Sequence, residues 1–81
     1  MLQVLTYIVT LIQNHIYNAK ILVMKGVEFL ESYPDIKLDY LEIVDYNDLQ
    51  IIEEVNNKCI IAVAIFIGNT RLIDNIIYKT E

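Results

Sequence analysis

Residues 59–75, CIIAVAIFIGNTRLIDN, decide the fold of this 81-residue chain. The almost wholly apolar run 59–67 predicts a strand that is covered on both faces and central in its sheet, because strands buried on both faces read as continuous hydrophobic runs. Gly68 and Asn69 both tolerate a positive φ and predict a hairpin, from which residues 71–78 return as an antiparallel strand. The stretch therefore predicts the centre of a small antiparallel sheet.

Arg71 is the only arginine in the chain, and its partner depends on this hairpin. A two-residue loop places Arg71 opposite Phe66 and a three-residue loop places it opposite Ile67, and the sequence leaves both registers open. Side chains alternate along a strand, so Arg71 and Asp74 face opposite ways and form no local ion pair. Arg71 is expected either to pair with an acidic strand or to reach a carboxylate or phosphate across a domain boundary. The candidate acidic partners are Asp39, Glu42 and Asp45.

Two helical patterns precede the strands. Apolar residues recur at steps of three and four from Leu2 to Ile16, which predicts a helix. A second apolar stripe lies beside the first and consists of Val4, Ile8 and Leu11. One small domain seldom covers so wide an apolar arc, so part of this helix is expected to remain exposed as a docking surface. A second helix is predicted over residues 19–32, and Pro34 ends it because proline disfavours helical geometry in the residue before it.

From Ile36 the sequence takes on the character of a sheet. Residues 38–44 are β-branched and aromatic with interspersed polar residues, and they predict a strand. A turn follows, and residues 50–55 predict a weaker strand or a connector. Two helices followed by about three antiparallel strands predict a two-layer α+β fold, with residues 1–81 as a single domain.

Charge and composition argue against several classes of function. The net charge is −5, and residues 35–54 hold seven carboxylates against one lysine, which argues against nucleic-acid binding. A solvated acidic face is the expected role of this segment; a divalent-cation site is the alternative, although the spacing is not that of an EF-hand. The chain is 56% hydrophobic with a mean hydropathy of +0.42, more than so small a core readily absorbs, so a partner is expected.

The sequence shows no catalytic constellation. His15, the only histidine, is expected on the first helix as a surface or interface residue rather than as a ligand or base. Cys59 is expected to be a small core residue in a protein of a reducing compartment. The only two glycines, Gly26 and Gly68, form no phosphate-binding loop. The apolar runs are shorter than the ~20 residues of a membrane span and lack the pattern of a signal peptide. The chain is therefore expected to be cytoplasmic, with no membrane contact.

Three segments carry a resemblance to a known family. LDYLEIVD (38–45), the NDL turn (47–49) and IIAVAIFIGNTRLIDN (60–75) resemble, in order and spacing, the C-terminal domain of the pantoate-beta-alanine ligases, or pantothenate synthetases, of vitamin B5 synthesis. The most specific element is G-x-T-R-L-I-D-N after an apolar strand. The resemblance is close over about the last half of the chain, and the two helices fit the family's layout by pattern.

The resemblance implies cytoplasmic enzymes that use ATP and Mg²⁺ to convert pantoate to an enzyme-bound pantoyl adenylate, which the amine of beta-alanine then attacks. In that family the nucleotide binds an N-terminal Rossmann-like domain, and the C-terminal domain closes over it as a lid. The family's His-x-Gly-His and Ser-Ser-Arg-Asn motifs are absent here, since His15 and Ser32 are the only histidine and serine. The chain is therefore expected to contain no catalytic, cofactor-binding or metal-binding residue of its own, and to be inactive alone.

The expected role is thus a lid domain whose N-terminal Rossmann-like partner is missing. The residues that match the family signature are expected to fix the last hairpin and its contact with the catalytic domain; they are Gly68, Thr70, Arg71, Asp74 and Asn75. In isolation the chain is expected to self-associate as a dimer. The alternative is a free-standing, small acidic dimerisation or protein-interaction module.

Overall fold

Two helices and three strands make up the computed structural model, which describes residues 2–80. The elements are α1 (Gln3–Gln13), α2 (Ala19–Glu31), β1 (Ile36–Asp45), β2 (Lys58–Ile67) and β3 (Thr70–Lys79). The strands form one antiparallel sheet in the order β1-β2-β3, and both helices pack on the same side of it. The α+β prediction and the central position of β2 are confirmed.

The two faces of β2 differ in what covers them. Its side chains that face the helices are buried to 1% exposure or less: Cys59, Ile61, Val63 and Ile65. The opposite face of the sheet, called the open face below, presents Ile60, Ala62, Ala64 and Phe66 from β2, together with Ile73 and Ile77 from β3. The helices of residues 2–80 pack on the other side, so the open face is covered only by its own side chains, which bury Ala64 but leave Ile60, Ala62 and Phe66 partly exposed. The expectation that β2 is covered on both faces is therefore wrong for this part of the chain.

The hairpin between β2 and β3 has the shorter of the two predicted loops. Ile67 pairs with Thr70, and Arg71 pairs with Phe66, so the loop is Gly68-Asn69. Gly68 has a φ of 60°, and Asn69 has no positive φ. A glycine with positive φ at the first central position is the arrangement of a type II′ turn, whose twist suits the two flanking strands.

β1 contains a β-bulge at Asp39. The pairing with β2 shifts by one residue between Leu38 and Tyr40, so Asp39 is an extra residue in the strand. A bulge exchanges the faces to which odd and even positions point. The apolar side chains of β1 that face the helices therefore lie at even positions before the bulge and at odd positions after it. They are Ile36, Leu38, Leu41 and Ile43.

α1 is covered within the domain rather than left exposed. Of the two apolar stripes, Val4, Leu5, Ile8 and Ile12 are at most 1% exposed, and Leu2, Val9 and Leu11 are partly buried against the same core. α2 approaches closely at Gly26, where an added Cβ would lie 2.5 Å from Leu41 Cδ2 and 3.0 Å from Ile8 Cδ1. The prediction that α1 offers an exposed apolar surface is therefore wrong. The exposed large apolar side chains lie elsewhere: Ile21, Met24, Tyr33, Tyr46, Leu49, Ile51, Ile67, Leu72, Ile73 and Ile77.

Segments outside the helices and strands settle three smaller expectations. α1 ends at Gln13, so His15 lies in the following turn, with a φ of 68° and its Nδ1 3.0 Å from the Tyr17 hydroxyl. Residues 50–55 are a connector that makes isolated bridges. Cys59 is buried in the core, as predicted; burial and, secondarily, the Asp45 carboxylate raise the pKa of its thiol. No helix among residues 2–80 is both long and apolar enough to span a bilayer.

Candidate functional site

The five signature residues occupy the hairpin loop and the first part of β3. Because side chains alternate along β3, Arg71 and Asn75 lie on the open face, whereas Asp74 lies on the helix side of the strand. The prediction that Arg71 and Asp74 face opposite ways is confirmed. Both find partners within this chain, and these partners are far away in sequence.

Arg71 forms an ion pair with Asp39 across the sheet. Its Nε and Nη2 atoms both donate to Asp39 Oδ2, at 3.0 and 2.8 Å. The guanidinium must reach past β2 to make this contact, because Asp39 lies in the bulge of β1, two strands away. The pair thus ties the two outer strands together at the hairpin end of the open face. Of the two expected roles of Arg71, the structure shows the pairing with the acidic strand.

Replacing Arg71 with alanine is expected to lower the free energy of unfolding by only about 0.2–1 kcal/mol. Both side chains of the pair are partly exposed, at 44% and 36%, so water and salt screen the attraction. Urea unfolding at low and high salt measures the effect, which is expected to shrink as salt increases. Lys79→Ala, which removes a cation from the far end of the same strand, is the control. A loss of more than about 2 kcal/mol in the free energy of unfolding would exceed what an exposed ion pair contributes and would contradict this account.

Asp74 connects β3 with the start of α1. Its Oδ2 atom accepts a hydrogen bond from the Leu2 backbone N–H at 2.8 Å, and its Oδ1 atom accepts one from the Asn75 N–H at 2.9 Å. These two backbone hydrogen bonds lower the pKa of the Asp74 carboxyl. Leu2 is the N-cap residue of α1 and its side chain cannot cap. The Asp74 carboxylate therefore supplies the negative charge that favours a helix N-terminus.

Asp74→Asn is expected to destabilise the domain at pH 7 and to have little effect in strong acid. A carboxyl whose folded pKa is lowered stabilises the fold above its ordinary pKa, here 3.8, and this contribution is lost as the pH falls through the lower folded value. Urea unfolding of both proteins between pH 7 and pH 2 measures the difference. The exposed Asp35→Asn changes the charge equally and serves as the control. An Asp74→Asn effect that persists unchanged in acid would contradict this account.

The acidic segment 35–54 does not come together as a metal centre. No three side chains of His, Cys, Asp or Glu among residues 2–80 gather closely enough to hold an ion. Asp45 instead accepts the Asn47 N–H at 2.7 Å, and Asp48 accepts the Gln50 N–H at 3.0 Å, so both stabilise the turn after β1. A groove of about 590 Å³ lies between the start of α2, the edge of β1 and the connector. Its charged lining residues are Lys20, Glu42 and Glu53.

Two features of the site carried little sequence signal. The Asp74 contact was missed because its partner is a backbone N–H 72 positions away, and a backbone group leaves no mark in a sequence. The exposed isoleucines of β3, Ile73 and Ile77, look like ordinary strand residues in the sequence. Their alternation with half-buried Ile76 and Tyr78 shows two faces, but it does not show which face lacks a cover.

Comparison with known proteins gives consistent results. A family model described as "Pantoate-beta-alanine ligase" matches residues 2–77. The pantothenate synthetase of Koribacter versatilis (strain Ellin345) is 48% identical over 62 residues, which are 76% of this chain and 21% of that protein. The bifunctional pantoate ligase/cytidylate kinase of Synechococcus sp. (strain JA-3-3Ab) is 44% identical over 52 residues, 64% of this chain and 10% of that protein.

A solved structure shares the fold. The crystal structure of pantothenate synthetase from Thermus thermophilus superposes with a TM-score of 0.80 at 24% identity, over 91% of this chain and 26% of that one. The chain therefore spans about a fifth of the length of the Koribacter relative and about a quarter of the Thermus protein.

Proposed function

Because the chain belongs to the pantoate-beta-alanine ligase family, we propose that it is the C-terminal lid domain of a ligase that makes pantothenate from pantoate, beta-alanine and ATP through a pantoyl adenylate. The observation that carries the proposal is the family match over residues 2–77 in a chain that corresponds to about a fifth of the Koribacter pantothenate synthetase. The match disfavours the alternative of a free-standing acidic interaction module.

In this proposal ATP and Mg²⁺ bind outside this chain, on a Rossmann-like domain. Two observations support this assignment: Arg71, the only arginine in the sequence, is paired with Asp39, and no group of three carboxylates among residues 2–80 is close enough to hold a metal ion. The domain instead contributes a closing surface. Closure excludes water from an acyl adenylate that would otherwise hydrolyse, and it completes the site around the substrates. The whole ligase would work in the cytoplasm.

The signature residues give this surface its shape. Gly68 permits the two-residue loop, and Thr70 pairs with Ile67 to close it. Arg71 fastens the hairpin to β1 through Asp39, and Asp74 fastens β3 to the start of α1. These contacts tie the hairpin to β1 and to the start of α1, and so link the two layers of the domain at the surface that would close.

A chimeric enzyme tests the proposal. In the Koribacter versatilis pantothenate synthetase, this chain replaces the segment that it matches, and pantothenate formation and pantoate-dependent ATP–pyrophosphate exchange are measured. The chimera is expected to be active. The relative truncated before that segment is expected to lose more than about 100-fold in pantothenate formation, and this chain alone is expected to be inactive. Activity of the chain alone, or a well-folded but inactive chimera, would overturn the proposal.

The isolated chain is expected to self-associate, because its open face exposes apolar side chains to water. A twofold dimer is the simplest closed arrangement. Size-exclusion chromatography with light scattering over a dilution series measures it. A strict monomer at the highest concentration would show that the open face does not drive association.

A further inference from the structure

A small apolar hollow of about 180 Å³ lies between the helices and the sheet at the hairpin end of the domain. No charged side chain among residues 2–80 lines it. The rim side chains Tyr33 and Ile67 are each 43% exposed, so the hollow opens to solvent. An enclosed cavity of about 150 Å³ with an apolar lining holds a benzene ring, so this hollow suits one large apolar side chain. Its apolar lining includes Leu2, Phe29, Tyr33, Ile36, Ile65 and Ile67.

The hollow is open because the helix layer ends before the hairpin does. α1 begins beside Asp74, whose Oδ2 atom accepts the Leu2 N–H at 2.8 Å on the helix side of β3. The helix runs from there toward the far end of β3, where Ile12 and Tyr78 line one surface depression. It therefore leaves the hairpin end of the sheet uncovered on its own side, where Leu72 is 36% exposed.

The polypeptide that precedes α1 leaves from the wall of this hollow. Leu2 lines the hollow and is also the N-cap residue, with a φ of −66° and a ψ of 138°, so the backbone is extended where it enters the helix. In the ligase proposed above, this polypeptide arrives from the catalytic domain. Three residues span at most about 10 Å, so the last three residues before Leu2 stay near the hollow.

The usual contact for an apolar residue just before a helix is missing in α1. Such a residue often packs on the fourth residue of the helix as a hydrophobic staple, which fixes the angle at which the chain enters. In α1 the fourth residue is Thr6, which is polar and exposed. The hollow offers an apolar surface at this end of the helix instead. A side chain on the attached segment is also held near it at an effective concentration in the mM range, an advantage over a second copy of the chain.

We propose that this hollow is filled by an apolar side chain of the segment that joins the catalytic domain to α1, from one of the three residues before Leu2. This inference rests on the proposed function and adds the joint at which the lid is attached. Two contacts hold the joint: the hollow takes the apolar side chain, and the Asp74 carboxylate takes the Leu2 N–H. Lid closure then turns about a fixed point, so the hairpin meets the catalytic domain at a defined angle.

Disulfide formation in the Koribacter chimera tests the contact without depending on activity. One cysteine replaces Ile67 at the rim, and a second is placed in turn at each of the three positions before Leu2. A disulfide needs Cα atoms within about 7 Å, so at least one of these pairs is expected to form about tenfold faster than the same cysteines paired with Ile73→Cys. Ile73 adjoins Asp74 in β3 but faces the open side of the sheet, which makes it the matched control. The native Cys59 is buried and does not compete.

Ile67→Trp tests what the contact contributes to the enzyme. Because the rim is open to solvent, the larger ring can occupy the hollow without disturbing the buried core. The isolated chain is expected to keep its melting temperature within about 4 °C. The chimera is expected to lose at least about tenfold in kcat/KM, because a lid displaced by an ångström misplaces the reacting groups. The control is Ile51→Trp at a 74% exposed position of the connector, which is expected to stay within about twofold of the chimera.

The outcomes separate this inference from the proposed function. A folded chimera that is inactive but forms the Ile67→Cys disulfide would sink the proposed function and leave the occupant of the hollow standing. An active chimera in which Ile67→Cys reacts no faster than Ile73→Cys would overturn the occupant. So would a disulfide that joins two chains, seen as a doubled mass on a non-reducing gel, because a second copy would then fill the hollow. An Ile67→Trp chimera as active as Ile51→Trp would overturn the role of the hollow in seating the lid.

Discussion

Deletion of Asp39 is expected to unfold the domain, whereas Asp39→Ala is expected to cost about 1 kcal/mol or less. Asp39 is the extra residue of the bulge in β1, so its removal restores strict alternation along the strand. Either Ile36 and Leu38 or Leu41 and Ile43 must then turn to the open face. Leu41 and Ile43 are 8% and 1% exposed, and burial of one such side chain contributes about 1.5–3 kcal/mol. Exposing two of them therefore removes much of the free energy of unfolding, which is roughly 4–12 kcal/mol for a chain of this length.

Urea unfolding followed by circular dichroism separates the two effects of Asp39. The substitution removes the carboxylate that binds Arg71 and keeps the residue count, so it tests the ion pair alone. The deletion changes the residue count and so tests the register. If the deleted protein unfolded cooperatively within about 1 kcal/mol of the parent, β1 would tolerate either register and the bulge would have no structural role.

The hairpin was predictable because its signals are local. An apolar run, a glycine that tolerates positive φ and a returning alternation all lie within residues 59–78, and together they predicted that β2 lies at the centre of the sheet. The bulge had a signal as well. Ile36 and Leu38 fall on even positions and Leu41 and Ile43 on odd ones, a change of parity that fits an inserted residue. The signal is weak, however, because Tyr40 and Val44 continue the even positions.

The surfaces of the domain were harder to predict because periodicity does not say what covers a face. The continuous apolar run of β2 reads the same whether its second face meets a helix of this chain or a surface of another domain. The wide apolar arc of α1 similarly reads as an interface until Gly26 is seen to bring α2 into contact with Ile8. Both errors concern tertiary neighbours, which lie far away in sequence.

Ile8→Ala is expected to lower the free energy of unfolding by about 2–5 kcal/mol, and Ile77→Ala by about 1 kcal/mol or less. Ile8 is fully buried, and its Cδ1 atom fills the space against Gly26 of α2. Truncation therefore removes packing and leaves a cavity between α1 and α2. Ile77 is 52% exposed on the open face, where alanine leaves no enclosed void. Both substitutions remove the same side-chain atoms, so the difference between their effects on the free energy of unfolding reflects mainly the burial of Ile8.

Urea unfolding of the isolated chain at a concentration where it is monomeric measures this contrast, and the chimera extends it to function. If α1 is core, Ile8→Ala lowers stability, and its effect on kcat/KM disappears when the assay temperature is kept well below its melting temperature. If α1 is instead the docking surface that its sequence indicated, Ile8→Ala leaves the isolated chain intact and weakens the enzyme at every temperature. That outcome would contradict the burial of Ile8 and show that the first helix is the docking surface.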